Sequence, residues 1–303
     1  NIFLTNKIKE NELFKVFAFL KRNSLLLTHD EYRAGHVGFH CCNSRRLKNI
    51  RGYLVNIWSN ETLQKKMGKK YNAISLNEPE NFLDYWDGFP EVYFDNKKDW
   101  ISASTPEPTR ATKDGLSVDE SWTLGDGPFL FDKVENKSDQ FKSNHLKVNE
   151  RQILSVSRPE KKICKIIQFF KRNNSLVDEK FRNEFLNSYN KLFLDIPNIN
   201  GLTVNFRDEN IDAAVKDFFP RNAWCFSEEG KKERKFFAEL WDGVTEIYVN
   251  NSEDFIEGVL KLSKDKSFND LQEKLFSSLW YVEVDENLIV LPNRDPSPDY
   301  YYR

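Results

Sequence analysis

Residues 86–101 read WDGFPEVYFDNKKDWI and residues 241–256 read WDGVTEIYVNNSEDFI, identical at eight of sixteen positions. Two further segments match in the same order: KVFAFLKR (15–22) with KIIQFFKR (165–172), and NIRGYLVN (49–56) with NINGLTVN (198–205). The offsets are 150, 149 and 155 residues, so insertions fall between the matching blocks rather than inside them. Three ordered matches define a tandem duplication. A duplicated chain must fold as two similar units, and an apolar face that one unit cannot cover can be covered by the other. The copies are read as residues 1–145 and 146–303.

Each copy has the same grammar. A short apolar run ending in Lys-Arg (15–22, 165–172) reads as a strand. A helix follows, opened in copy one by the capping box Thr28-x-x-Glu31, and Tyr32, His36, Phe39, His40, Asn43 and Leu47 fall on one stripe of it. Gly52 or Gly201 leads into a second strand (53–58, 202–206). The Trp-Asp-Gly turn launches a third (91–94, 246–249), and a second helix starts near Asp99 or Ser252. A last strand is expected at 129–134 and 279–284, with the polar stretch 132–152 as linker and residues 292–303 as an extended tail.

The order β-α-β-β-α-β is that of a ferredoxin-like unit, with helices on one face of a four-stranded sheet. Two such units packed sheet to sheet bury both bare faces and leave a cavity between them. The expected fold class is therefore α+β, an intramolecular pseudo-dimer.

Composition narrows the function. Forty-five Lys and Arg against 47 Asp and Glu leave a net charge of -2, so a basic duplex-binding surface is not expected and no nucleic-acid partner is proposed. No run reaches the roughly 18 apolar residues of a membrane-crossing helix. No leader-like apolar stretch is seen at the start, and the four cysteines lack CxxC spacing, so a cytoplasmic location with reduced thiols is expected. Aromatic residues make up 14% of the chain, which suggests a flat-walled pocket.

Several motifs together resemble the EthD-like family: Phe-Leu-Lys-Arg (19–22), Thr28-x-Asp30-Glu31-Tyr32-Arg33 at a helix start, His40 eight residues after Tyr32, Gly52-Tyr53, and Asp87-Gly88-x-x-Glu91-x-Tyr93-Phe94. The resemblance covers most of residues 12–135 and, more weakly, 160–290. It implies a dimeric α+β barrel in which one chain does what two subunits do elsewhere, around a small-molecule pocket. Family members include accessory proteins of degradative pathways and cofactor-free dehydratases acting on polyketide-like aromatics. The family's helix-one histidine maps onto His40.

The duplication sharpens the choice of residues. Position 40 is matched by Tyr189 in copy two and His36 by Phe185, so packing alone does not require imidazole at either place. Tyr53 becomes Leu202 and Arg51 becomes Asn200, so copy one keeps a polar set and one active pocket is expected there. The expected catalytic residues are His40 and His36, with Tyr53 assisting and Asp87 orienting an imidazole. Asn56, Trp58, Trp86, Tyr93 and Trp122, with Tyr189 from the closing wall, are expected to line the substrate pocket. Along 53–58 alternate side chains face opposite ways, and the sequence leaves open which set faces the cavity. The paired histidines lack a visible third ligand, so no metal is expected, and no other cofactor is implied.

The expected function is a cofactor-independent lyase of the dehydratase kind, acting on a small hydrophobic or aromatic substrate by histidine acid–base catalysis. The alternatives are an isomerase, cyclase or monooxygenase on the same barrel, or a non-catalytic accessory protein that binds a small molecule for a partner oxygenase. Because the pairing that makes a dimer in single-copy relatives is met internally, a monomer or a homodimer is compatible with the sequence.

Overall fold

The structure is a computed structural model that describes residues 8–22, 24, 27–45, 47, 49–104, 142–210 and 227–292. Its strands are β1 (Lys9–Glu10), β2 (Phe14–Lys21), β3 (Gly52–Trp58), β4 (Gly88–Phe94), β5 (Lys142–Leu154), β6 (Cys164–Arg172), β7 (Ile199–Asn210), β8 (Gly243–Val249) and β9 (Phe276–Val290). They run in the order β1-β5-β2-β4-β3-β9-β6-β8-β7, and β7 pairs back onto β5. Eight antiparallel strands, β2 to β9, thus form one closed barrel with helices outside it. Among the described residues no helix is long and apolar enough to cross a membrane.

The two halves do not pack as separate sheets; their edges are hydrogen-bonded to each other. The devices that close the cylinder are the long strands β5 and β9. The first part of β5 pairs with β2 (Lys15↔Val148 to Lys21↔Lys142), and from Leu146 onward β5 also pairs with β7 of the other half (Leu146↔Asn210 to Leu154↔Leu202). β9 does the same, first with β6 and then with β3. Closure removes the unpaired strand edges that an open sheet would expose.

This corrects the expected linker at 132–152: residues from Lys142 onward are strand, and it runs across the expected boundary between residues 145 and 146. Its inner positions read as solvent-facing because they are polar. Glu150 is 4% exposed and belongs to a charged barrel interior. The strand expected at 129–134 and the tail beyond Pro292 lie outside the described residues.

Other expectations hold locally. Thr28 Oγ1 accepts from the Glu31 amide at 3.2 Å while Glu31 Oε2 accepts from the Thr28 amide at 2.7 Å, so each satisfies an orphan donor of the helix His29–Gly35. That helix runs into a π-helical segment, His36–His40, matched in the second half by Phe185–Tyr189. The turn residues Asp87 and Asp242 play one role twice. Each amide donates to a backbone carbonyl of β2 or β6, that of Leu20 or Phe170, and each carboxylate accepts from the Arg22 or Arg172 amide. The glycines that follow are required for a different reason than turn geometry. Neither has positive φ, but a β-carbon on Gly243 would lie 2.4 Å from the Asn205 carbonyl oxygen, and on Gly88 3.2 Å from that of Asn56.

Strand alternation then sorts the interior. Val16 and Leu20 of β2, Tyr53, Val55 and Ile57 of β3, and Phe94 of β4 pack outward with Tyr32 and Trp100 of the helices. The intervening residues face the lumen. Phe17 on β2 and Phe169 on β6 meet at 6.4 Å although their strands are not neighbours, so the contact spans the barrel.

Candidate functional site

The lumen has two chemically distinct ends. At one, Phe17, Phe19, Phe89, Phe169 and Trp280 are fully buried, and Trp86, Trp241, Phe82 and Ala238 close the end over them. Neighbouring rings stand 5.0–6.4 Å apart. The aromatic residues therefore fill this end by edge-on and stacked packing instead of lining an empty pocket. Trp86 lies here, and its expected place in an aromatic-walled cavity is corrected accordingly.

The waist of the barrel is charged. Lys15 Nζ on β2 lies 2.6 Å from Glu91 (β4), 2.8 Å from Glu150 (β5) and 2.9 Å from Glu246 (β8). Lys165 Nζ on β6 lies 2.5 Å from Glu91, 2.5 Å from Glu246 and 3.1 Å from Glu286 (β9). The arrangement repeats across the two halves. Tyr93 OH donates to Glu150 at 3.1 Å and Tyr248 OH to Glu286 at 3.0 Å. Asn56 donates to Glu91 at 2.7 Å and Asn205 to Glu246 at 2.8 Å. The ammonium groups of Lys15 and Lys165 stand 5.0 and 5.1 Å from the ring centres of Tyr93 and Tyr248.

Burial by itself would depress both lysines, but the surrounding carboxylates outweigh it and hold them above their ordinary value, so both are ammonium ions. The carboxyl groups split. Burial and the neighbouring Glu246 push Glu91 up to about 7 against the pull of Lys15 and Lys165. For Glu246, burial is overcome by the same two lysines, and its carboxyl is held well below the ordinary range. Lys15 likewise outweighs burial at Glu150, and Lys165 with Arg158 does so at Glu286; both are lowered. Burial raises the phenols of Tyr93 and Tyr248, which stay neutral donors.

Beyond the waist the barrel opens into a cavity of about 890 Å³. Glu150, Glu246, Tyr93 and Tyr248 supply its charged and phenolic groups nearest the waist, Leu13, Leu54, Val156 and Leu291 its apolar walls, and Lys9, Arg51 and Arg158 cationic groups. Arg51 pairs with Asp95, and Arg158 with Glu286. Among the described residues no group of three or more His, Cys, Asp or Glu side chains is arranged to hold a metal ion.

The expected site residues are dispersed by the sheet itself. His36, His40 and Tyr53 lie between the first helix and the outer face of the barrel. His36 Nδ1 and Tyr32 OH are 2.9 Å apart, His36 Nε2 and Tyr53 OH 3.2 Å, and His40 Nε2 and Ser44 Oγ 2.7 Å. His36 is 1% exposed, and burial first, then the nearby His40, push its pKa well below 6.5. Asn56 and Tyr93 face the lumen on the other side of the sheet, so these two groups of residues cannot share one pocket. Asp87 does orient an imidazole, but that of His29, at 2.8 Å, and it also pairs with Arg22. Trp58, half-buried, stacks on His29 with ring centres 3.5 Å apart. Tyr189 is in the second half's outer core, with its hydroxyl among Gln168 and Gln272. Trp122 lies outside the described residues.

The sequence reading missed Lys15, Lys165, Glu91, Glu150, Glu246, Glu286, Tyr248 and Arg158 as site residues. Two of them left a signal: a lysine at the same place in an otherwise apolar strand of both copies, which can be tolerated inside only with carboxylate partners.

No protein-family model matches the sequence, and no curated protein matches it. Among solved structures, the chain is similar to a candidate monooxygenase from Fusobacterium nucleatum (7% identity, TM-score 0.45, 94% of this chain and 95% of that one). A candidate monooxygenase from Lactobacillus acidophilus gives 9% identity and a TM-score of 0.43 over 95% and 99% of the two chains. Chlorite dismutase from Candidatus Nitrospira defluvii gives 9% and 0.41 over 91% and 92%. Likeness at this level bears on neither activity nor ligand.

Proposed function

We propose that this chain is an acid–base enzyme of the lyase or isomerase kind, whose small-molecule substrate enters the open mouth of the barrel and reacts beside Glu246. The observation that carries the proposal is a pair of neighbouring carboxyl groups, Glu91 and Glu246, whose surroundings push their proton affinities apart at the inner end of an 890 Å³ cavity. Such a pair provides an acid and a base at one pH. In this reading Glu246 takes or gives the proton at substrate carbon or oxygen. Tyr93 and Tyr248 offer neutral hydroxyls to a developing oxyanion. Leu13, Leu54, Val156 and Leu291 offer apolar contact and Lys9, Arg51 and Arg158 cationic groups to a substrate whose hydroxyl faces the inner end.

The same reading takes the halves as ferredoxin-like units of an EthD-like barrel. Supporting it is the strand order, fourth-first-third-second within each half: β5-β2-β4-β3 and β9-β6-β8-β7.

The test is a screen of small hydroxylated aromatic and polyketide-like compounds with wild type, Glu246→Gln, His40→Ala and the mouth-blocking Leu291→Trp, following product mass and oxygen uptake. The expected result is loss of water or an isobaric product, abolished by Glu246→Gln, reduced by Leu291→Trp and retained by His40→Ala. Oxygen consumption with a mass gain would replace this reading with the monooxygenase alternative. Binding without turnover in wild type would replace it with the accessory protein.

A further inference from the structure

We infer that the barrel waist stores a single proton between Glu91 in the first half and Glu246 in the second, and that Glu246 is the route by which it reaches the mouth. As a proton source for catalysis the inference rests on the function proposed above; the existence of the stored proton rests on charge and contact alone.

Four carboxyl groups (Glu91, Glu150, Glu246, Glu286) share the waist with three cations, Lys15, Lys165 and Arg158. Every carboxyl is at most 7% exposed. An uncompensated charge in such a place is strongly disfavoured, and one bound proton removes it.

The supply of donors locates the proton. Glu150 is fully supplied with donors by Lys15, Tyr93, Asn11 and Gln152, and Glu286 by Lys165, Arg158 and Tyr248. Glu91 and Glu246 instead share the same two ammonium groups, Lys15 and Lys165, in a square of alternating charge. Asn56 donates its amide to Glu91 and Asn205 does the same to Glu246, so the amides do not favour either side. The upward shift of Glu91 and the downward shift of Glu246 agree in placing it on Glu91 at rest.

Glu246, itself only 1% exposed, lines the mouth cavity, and Glu91, fully buried, does not. The proton passes from the Glu91 carboxyl to the Glu246 carboxylate, and from Glu246 to a base in the cavity, such as a departing hydroxyl. The reverse path restores it from water. Glu91 is thus a positioning residue that acts through Glu246.

The test is infrared spectroscopy of the intact chain, titrated from pH 5 to pH 9 and following the carbonyl band of protonated carboxylic acids. At pH 6 wild type should hold one protonated acid more than Glu91→Gln and lose it with a midpoint near 7; half-buried Glu233, which burial also pushes up to about 7, contributes alike to both spectra. Glu91→Gln, which has the shape of the protonated group, should fold and lack that transition. Glu246→Gln should lack it too, because Glu91 then remains as the carboxylate of the two lysines. A protonated-acid band near 7 of the same size in wild type and in Glu91→Gln would overturn the inference. The stored proton stands without the enzyme if the band is found and no compound is turned over. The enzyme stands without the stored proton if turnover is found and the band is absent.

Discussion

The ammonium group of Lys15 lies 2.9 Å from the carboxylate of Glu246, on strands that face each other across the lumen and belong to different halves of the chain. The mirror contact, Lys165 to Glu91, is 2.5 Å. The interior of the barrel is therefore tied together by ion pairs that only a second half can complete.

Removing one partner should be costly. Lys15→Met leaves Glu91, Glu150 and Glu246 short of a buried cation, and a loss of about 3–5 kcal/mol is expected. Adding Glu150→Gln to that variant should recover part of the loss, because one fewer buried carboxylate is then uncompensated. Urea denaturation at neutral pH measures both.

The raised Glu91 pKa sets a pH trend with a definite sign. Between its ordinary value of 4.5 and about 7 the folded chain holds a proton that the unfolded chain has released. Its contribution to stability therefore falls as pH rises through that window, by on the order of 3 kcal/mol. The difference in stability between wild type and Glu91→Gln, measured from pH 4.5 to pH 7.5, isolates it. A difference that does not change with pH contradicts the assignment.

His36 acts in the opposite direction. Its imidazole is held neutral by burial, so the unfolded chain takes up a proton below pH 6.5 that the folded chain refuses. Stability from this group is present above pH 6.5 and lost as pH falls. His36→Phe, which installs the residue found at the matching position 185, should flatten that acid limb. It should also cost about 1–3 kcal/mol at pH 8, since the hydroxyls of Tyr32 and Tyr53 each lose a hydrogen-bond partner. Thermal unfolding from pH 5 to pH 8 checks both parts.

The two Trp-Asp-Gly turns should tolerate a methyl group unequally. Gly243→Ala forces a β-carbon 2.4 Å from a backbone oxygen and 2.5 Å from the Phe170 ring, whereas at Gly88 the closest approach is 3.2 Å. A loss of roughly 1–3 kcal/mol is expected at Gly243 and a smaller one at Gly88. Equal losses in denaturation would mean that the turn, not the neighbouring strand, selects glycine.

Much of the scaffold was legible because its signals are local. The Thr28–Glu31 capping box, the apolar runs of β2 and β6 and the repeated Trp-Asp-Gly turns each state their structure within a few residues. β5 was not legible. Its inner residue Glu150 is polar because it meets Lys15 from β2 and Tyr93 from β4, and no local window contains those partners. The site was misplaced for a related reason. A strand exposes alternate residues to opposite faces, and the sequence of β3 cannot say whether Tyr53 or Asn56 looks inward. The divergence of His36 and His40 from Phe185 and Tyr189 is real, but it marks the layer between helix and barrel wall. The charged waist is instead built from residues the two copies keep in common, Lys15 and Lys165, Asn56 and Asn205, Glu91 and Glu246, Tyr93 and Tyr248.

The most direct measurement is a crystal structure with the compound that most raises the thermal midpoint of the wild-type protein. The expected result is ligand in the mouth cavity between Tyr93 and Tyr248, with a polar atom in hydrogen-bond reach of Glu246. Ligand bound instead against His36 and His40, on the outer face of the barrel, would contradict a site in the lumen.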